Sequence, residues 1–283
     1  MVLSDKLLTA NKLVEALEIP AQPEMLVSIT KEIKKENCNF DLVASHICAD
    51  IGIAAEVLKT VNSPFFGLSK NIASIQQAAA LLGFERVVAL VRDVSLRTVL
   101  SQGLDLGDFW HSASKLAICC AILAREIRVI DTDEAYTFGL FHDAGIPILM
   151  QNYEGYEENM RSSSTFTDLK KTKQEDSLYK LNHATVGYYL GHKWFLPEHV
   201  CKAIYYHHKS DAVLGKMKNK PDEFVTLLAL LVIAQHVVAL PEEDDDYPEH
   251  WQAMLPNLLL ILDVDEAELE LLIEHAYKVF QEA

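Results

Sequence analysis

Six ionisable residues of this chain stand in an order that can support metal chemistry: His111, then His142-Asp143, then His183, then His207-His208. Neutral imidazole is the usual nitrogen ligand for Zn²⁺, Fe²⁺ or Mn²⁺, and an adjacent carboxylate can bridge two such ions. Each candidate falls on or at the end of an expected helix. His142-Asp143 closes the run Phe138 to Phe141 and is followed by Gly145 and Pro147, while His207-His208 closes the run Val200, Ala203, Ile204. Helix ends converging on one cavity are a common way to build a site between packed helices. His142, Asp143, His183, His207 and His208 are therefore expected in one pocket. The same spacing also allows each histidine simply to pack or hydrogen-bond on its own helix. His46, His192, His199, His236, His250 and His275 have no such ordered company and read as structural.

The elements that must position these residues are helices. Apolar residues recur at three and four, as in Ala54, Val57, Leu58, Val61 and in Leu116, Cys119, Cys120, Leu123, and alternating strand patterns are hard to find. Ser74-Ile75-Gln76-Gln77 forms a capping box, and Asp131-Thr132-Asp133-Glu134 precedes another helical run. The fold class is all-α. Helices are expected near 5–17, 23–36, 40–48, 51–61, 74–82, 84–101, 108–128, 132–143, 174–193, 198–208, 222–240 and 265–281. The stretch Ser101 to Gly107 separates an N-terminal helical lobe, 1–105, from a second lobe with a C-terminal extension, 106–283. Gln151 to Thr167 reads as a polar loop, and Pro241 to Pro248 as a solvated acidic loop without the Gly and spaced ligands of a calcium loop. The last helix carries one apolar stripe, Leu269, Leu272, Ile273, Ala276 and Phe280, opposite Glu266, Glu270 and Glu274, and should dock through it.

Composition narrows the function classes. The chain has 283 residues, half of them apolar, with 41 acidic against 25 basic residues and a net charge of −16. A mean hydropathy of +0.08 with few Gly and Pro excludes disorder for most of the length. The negative charge repels polyanions, which argues against a nucleic-acid partner. The longest apolar run, Phe224 to Leu240, contains Thr226, Gln235 and His236 and falls short of the roughly 20 residues that span a bilayer. A buried core helix is expected there, with no membrane partner. The five cysteines are odd in number, lack C-x-x-C spacing and lie mostly in apolar runs, as buried thiols of a reducing compartment do. The opening Met1-Val2-Leu3-Ser4-Asp5-Lys6 lacks the basic and apolar regions of a secretory signal, so the expectation is cytoplasmic.

The order His111, His142-Asp143, His183, His207-His208 resembles the HD superfamily of metal-dependent phosphohydrolases, and the rest of the chain resembles its HDOD branch. The matching stretches are Ile19 to Pro23, Asp50 to Leu58 leading into Val61-Asn62-Ser63, and Ile75 to Leu82 with Gly83-Phe84-Glu85-Arg86. They continue through Phe109 to Ser112, Gly139 to Gly145, His183 to Gly187 and Trp194 to Pro197, ending at His207-His208.

The resemblance implies a two-lobed helical HDOD fold with an HD-like bundle in the second lobe. It also implies a bacterial signalling role as a protein-interaction module, with a signalling protein as partner and without demonstrated catalysis. In two-metal members of the superfamily, the equivalents of His111, His142, Asp143 and a late Asp hold the first ion. Asp143, His183, His207 and His208 correspond to the ligands of the second. Gln235 stands where the late Asp falls, so one anionic ligand is missing and the divalent metal site (Fe, Mn or Zn) is at most partial. The Gly-Tyr-Pro segment of the cyclic-dinucleotide-cleaving branch is replaced by Lys209 to Leu214, which disfavours that substrate. Lys115 is the nearest cation to His111 in sequence, and few basic side chains are offered to a phosphoryl group. The alternative function is a metal-dependent phosphohydrolase acting on a nucleotide or other phosphate ester, with the same six residues as ligands.

Overall fold

The computed structural model of the chain describes residues 12–63, 66, 68, 71–160, 169–216, 221–239 and 247–282, and all regular structure among them is helical. The fold is all-α. It divides into two compact units: Ala21–Gly103 with the residues from Val279 on, and the residues up to Pro20 with Leu104–Lys278.

The first unit contains α1 (Glu24–Ile33), α2 (Phe40–Cys48), α3 (Ile51–Val61), α4 (Ile75–Leu82) and α5 (Phe84–Leu100). Side chains start α2, α3 and α4 by accepting backbone N–H groups left without intrahelical partners. Asn39 accepts from Leu42, Asp50 from Ile53, and Ser74 from Gln77, whose own side chain accepts the Ala73 N–H. Gly83 at φ +87° joins α4 to α5, a backbone region where glycine carries no steric penalty. Leu26, Ile29, Val43, Ile47, Val57 and Val61 repeat at three and four and are fully buried. Asn62 closes the loop after α3. Its amide donates to the Leu58 and Ile72 carbonyls at 2.8 and 2.9 Å and accepts the Ile72 N–H at 2.7 Å.

The second unit begins, after residues 12–20, with α6 (Gly107–Ile127) and α7 (Thr132–Phe141), followed by α8 (Gly145–Asn152) and α9 (Tyr156–Met160). Next come α10 (Leu169–Tyr179), α11 (His183–Lys193), α12 (Glu198–Tyr206), a 3₁₀ turn at His207–Lys209, and α13 (Ser210–Leu214). Then follow α14 (Glu223–Ala239), α15 (Tyr247–Leu262) and α16 (Glu266–Glu282). Every residue of α14 from Val225 to Ala234 is buried, the pattern of a helix surrounded on all sides and the core helix expected from its sequence. Where α6 and α7 meet, a β-carbon at Gly139 would lie 2.6 Å from Ala117 Cα, so only glycine permits that approach. Residues 12–20, expected in the N-terminal lobe, group here, and the end of α11 holds the last two of them. Lys193 Nζ donates to the Ile19 carbonyl at 2.7 Å and Trp194 Nε1 to the Pro20 carbonyl at 3.1 Å.

Three expectations need correction. The single helix expected over 174–193 is two, because Lys180 takes φ +59° and Asn182 caps a new helix by accepting the Thr185 N–H. The polar loop expected over 151–167 contains the end of α8, a turn at 153–155 and all of α9, while 161–167 lies outside the described residues. Of the acidic loop, 241–246 lies outside the described residues, while Tyr247 and Pro248 open α15, which the sequence reading missed. Proline is tolerated in a first helical turn, where Pro248 stands, and Pro256 lies inside the same helix. Among the cysteines, Cys119, Cys120 and Cys201 are buried as expected, whereas Cys48 is exposed. On α16, Leu269 and Ala276 are buried, Leu272 and Ile273 half-buried, and the three glutamates exposed; the Phe280 side chain lies outside the described residues. Among the described residues no helix is long and apolar enough to cross a membrane.

Candidate metal centre

Three chain reversals bring the site together. His142 and Asp143 follow α7 directly, before the chain turns into α8 at Gly145. His183 is the first residue of α11, and His207-His208 form the 3₁₀ turn that ends α12. Gly145 makes the convergence possible, since a β-carbon there would lie 2.1 Å from the His183 carbonyl oxygen and 2.9 Å from Gly187 N.

One ligand atom from each of Asp143, His183, His207 and His208 falls within 4.8 Å of the others. Asp143 Oδ1 lies 3.2 Å from both His183 Nε2 and His207 Nε2, and its Oδ2 lies 3.4 Å from His142 Nε2. His183 Nε2 in turn lies 3.4 Å from His207 Nε2 and 2.7 Å from His208 Nε2. Two nitrogens bound to one ion at about 2.0–2.1 Å stand roughly 3.0–3.4 Å apart, so most of these separations already suit a shared cation.

The outer edges of the rings make the same case. His142 Nδ1 donates to the Gly139 carbonyl at 2.7 Å and His207 Nδ1 to the Ile204 carbonyl at 2.6 Å. Each bond selects the tautomer whose Nε2 lone pair points inward. His183 Nδ1 meets Glu175 Oε1 and Oε2 at 2.9 and 2.7 Å. Asp143 Oδ1 is buried with no hydrogen-bond partner, although two imidazole nitrogens stand beside it. A buried carboxylate oxygen among inward-facing imidazole nitrogens is costly unless a cation, a proton or a metal ion, stands between them. The residues fit a divalent metal. The Asp143 side chain is 21% exposed, which leaves the centre open to solvent on that side.

Of the six residues singled out from sequence, five meet here. His111 is exposed on α6 and outside the cluster, and Gln235 is half-buried on α14. The sequence reading missed Glu175 and Tyr156. Glu175 is fully buried, its Oε2 accepts the His183 N–H at 3.0 Å, and the Tyr156 hydroxyl donates to its Oε1. A continuous helix over 174–193 would have carried Glu175 about 12 Å along the axis from His183. Asn182 as a helix cap was the available signal for the break.

Protonation follows from this packing. Burial alone would lower the pKa of His183, but Glu175 and Asp143 outweigh it and raise it to about 9. Burial lowers His207 to about 4 despite Asp143, and burial with the neighbouring His207 and His183 lowers His208 further. Burial would raise Asp143, yet His142 and the other imidazoles hold it well below the usual carboxylate range. Relative to an unfolded histidine near 6.5, His183 contributes stability that is full below pH 6.5 and is lost as pH rises through about 9. His207 works in the opposite sense: between 6.5 and about 4 the unfolded chain takes up a proton the folded chain refuses. In chelator, thermal melts should therefore show maximal stability near pH 6.5, falling on both sides. A melting temperature that climbs steadily from pH 6.5 to 9 would contradict these assignments.

The HDOD domain family matches residues 19–210 of this chain. Among curated proteins, an uncharacterized protein of Treponema pallidum (strain Nichols) is 22% identical over 241 residues, covering 84% of this chain and 45% of that protein. The uncharacterized protein YuxH of Bacillus subtilis (strain 168) is 30% identical over 102 residues, covering 35% of this chain and 24% of its own length. The chain thus spans less than half the length of either relative. Similar solved structures include an HDOD domain protein from Geobacter sulfurreducens, with TM-score 0.68, 20% identity and coverage of 99% of this chain and 98% of that one. A candidate phosphohydrolase from Shewanella amazonensis SB2B has TM-score 0.69 and 21% identity over 96% of this chain and 95% of its own. A candidate signal transduction protein from Marinobacter aquaeolei VT8 has TM-score 0.71 and 21% identity over 99% of this chain and 63% of its own. At these identities the structural likeness is one of fold.

Proposed function

Because the chain belongs to the HDOD domain family, we propose that it is a signal-transduction protein that binds a protein partner through its helical surface. In this reading it is cytoplasmic, has the N-terminal lobe and HD-like lobe of its family, and holds one divalent ion on Asp143, His183, His207 and His208. The observation that carries the metal is the inward-facing geometry: His142 and His207 spend Nδ1 on backbone carbonyls, and Asp143 Oδ1 is buried without a hydrogen bond. His142 borders the ion, and His111, exposed on α6, is left for a second ion that this chain binds weakly. The interaction role rests on the neutral Gln235 and on the likeness to a candidate signal transduction protein.

Untagged protein should carry about one Fe, Mn or Zn ion per chain and turn over no generic phosphodiester when supplied with Mn²⁺ or Fe²⁺. Partner capture should survive Asp143→Ala. Gln235→Asp should raise metal occupancy from about one ion towards two, because a carboxylate helps neutralise a second divalent ion beside the first. Metal analysis of both proteins side by side checks this, and equal occupancy would remove Gln235 from the account.

A specific observation keeps the phosphohydrolase as a second reading. The centre is open on the Asp143 side, and an open position is what distinguishes catalytic from structural metal sites. A divalent ion held there would supply Lewis-acid stabilisation and a water of lowered pKa. Robust hydrolysis by the wild-type protein that disappears in Asp143→Ala would put this reading first.

A further inference from the structure

Resting on the metal reading above, we infer that Glu175 is the positioning residue of the centre. It holds the His183 ring so that Nε2 faces the ion, and it supplies the second negative charge that Gln235 does not. The ring of His183 is engaged on both edges. On one, Glu175 takes Nδ1 at 2.7 and 2.9 Å while also accepting the His183 backbone N–H at 3.0 Å. On the other, Nε2 faces Asp143 Oδ1, His207 Nε2 and His208 Nε2 at 3.2, 3.4 and 2.7 Å.

The helix that delivers Glu175 has no apolar stripe, and beside Glu175 it sets the Tyr179 ring 4.5 and 5.6 Å from those of Tyr153 and Tyr156. Among the described side chains of α10, only Thr172 and Glu175 are buried, while Leu178 is 52% exposed. A helix ordinarily docks through an apolar stripe; this one docks through a carboxylate under a histidine, through buried Thr172 and through the Tyr179 ring. Surrounding contacts hold it there: Tyr156 donates to Glu175, Gln174 Nε2 donates to the Asn159 carbonyl at 2.5 Å, and Asn159 Nδ2 donates to Tyr179 Oη at 3.0 Å. A buried ion pair can commonly be replaced by apolar residues without loss of stability, so packing alone does not account for the arrangement. Orientation of a metal-bound histidine by a carboxylate does. The charges also balance, because Asp143 and Glu175 together offset one divalent ion and leave no anion for a second.

The test is zinc affinity of the full chain, read by competition with a chromogenic chelator and with Zn²⁺ alone as the probe. Glu175→Gln should weaken binding about 10- to 100-fold with helical circular dichroism unchanged. Tyr156→Phe, which keeps the carboxylate, should weaken it by less than about threefold, below the 10-fold floor for losing an outer-shell partner. In zinc-loaded wild-type protein, ¹⁵N NMR should place the His183 proton on Nδ1, a readout that stands even if Glu175→Gln does not fold. Zinc binding by Glu175→Gln within about threefold of wild type overturns the inference while leaving the metal reading intact, as does coordination of His183 through Nδ1. Failure of the wild-type protein to bind zinc overturns the metal reading and this inference with it.

Discussion

Gly145→Ala is expected to destabilise the chain by at least about 3 kcal/mol and to lower its melting temperature by roughly 6–12 °C. The added methyl would stand 2.1 Å from the His183 carbonyl oxygen, 2.8 Å from its carbonyl carbon and 2.9 Å from Gly187 N. All three are backbone atoms of α11, so no side chain can rotate away to make room. Relief requires moving α8 off α11, and with it Asp143 away from His183. Domains are stable by only about 5–15 kcal/mol, so much of the protein should be lost to the insoluble fraction at growth temperature. Gly103→Ala is the control. That glycine has φ +77°, but a methyl added there would meet nothing within 4 Å, so the change should cost only the left-handed backbone penalty of about 1–2 kcal/mol. Equal melting temperatures for the two variants would mean that the α8–α11 approach is not tight in solution.

Zinc at one hundred times its dissociation constant should stabilise the wild-type chain by about 2.7 kcal/mol, a rise of roughly 5–11 °C in melting temperature. Asp143→Ala should abolish that rise, with each protein compared against its own chelator-treated melt. The reason is charge. Asp143 is the sole carboxylate in the ligand group, and three imidazoles alone leave a buried divalent ion with no anionic ligand. Retention of the full zinc-induced shift in Asp143→Ala would place the ion elsewhere.

The histidine order was legible in the sequence because His142-Asp143 and His207-His208 each close an expected helix and the whole order resembles that of a known superfamily, whereas His183 fell inside the single helix expected over 174–193. Asn39, Asp50, Ser74 and Asp131 announce their helices as capping residues. What escaped was whatever depended on a break inside a polar stretch. The residues of α10 give no apolar period, so α10 and α11 read as one helix and Glu175 was invisible as a partner of His183. Two helices absent from the expected set, α8 and α15, each contain a proline, Pro147 in the first turn of one and Pro256 inside the other, a residue that disfavours helix interiors. His111 stands in sequence where the superfamily pattern puts it and is exposed on α6, while the ligand atoms that fall together are those of Asp143, His183, His207 and His208.

The bonds from Lys193 and Trp194 to Ile19 and Pro20 join residues 174 positions apart. Read along the ribosome, Ile19 and Pro20 emerge early but must wait for the end of α11 to be synthesised before their carbonyls find these donors. Between them the whole stretch from Ala21 to Gly103 is made and can fold as its own unit. Along the chain that stretch interrupts the second unit, its host in sequence, which resumes at Leu104. Closing so long a loop costs only logarithmically more than closing a short one, and an insert that is already compact shortens it further. Cutting the gene at position 104 would therefore leave the host unit without Ile19 and Pro20 and strand the buried Trp194 indole N–H.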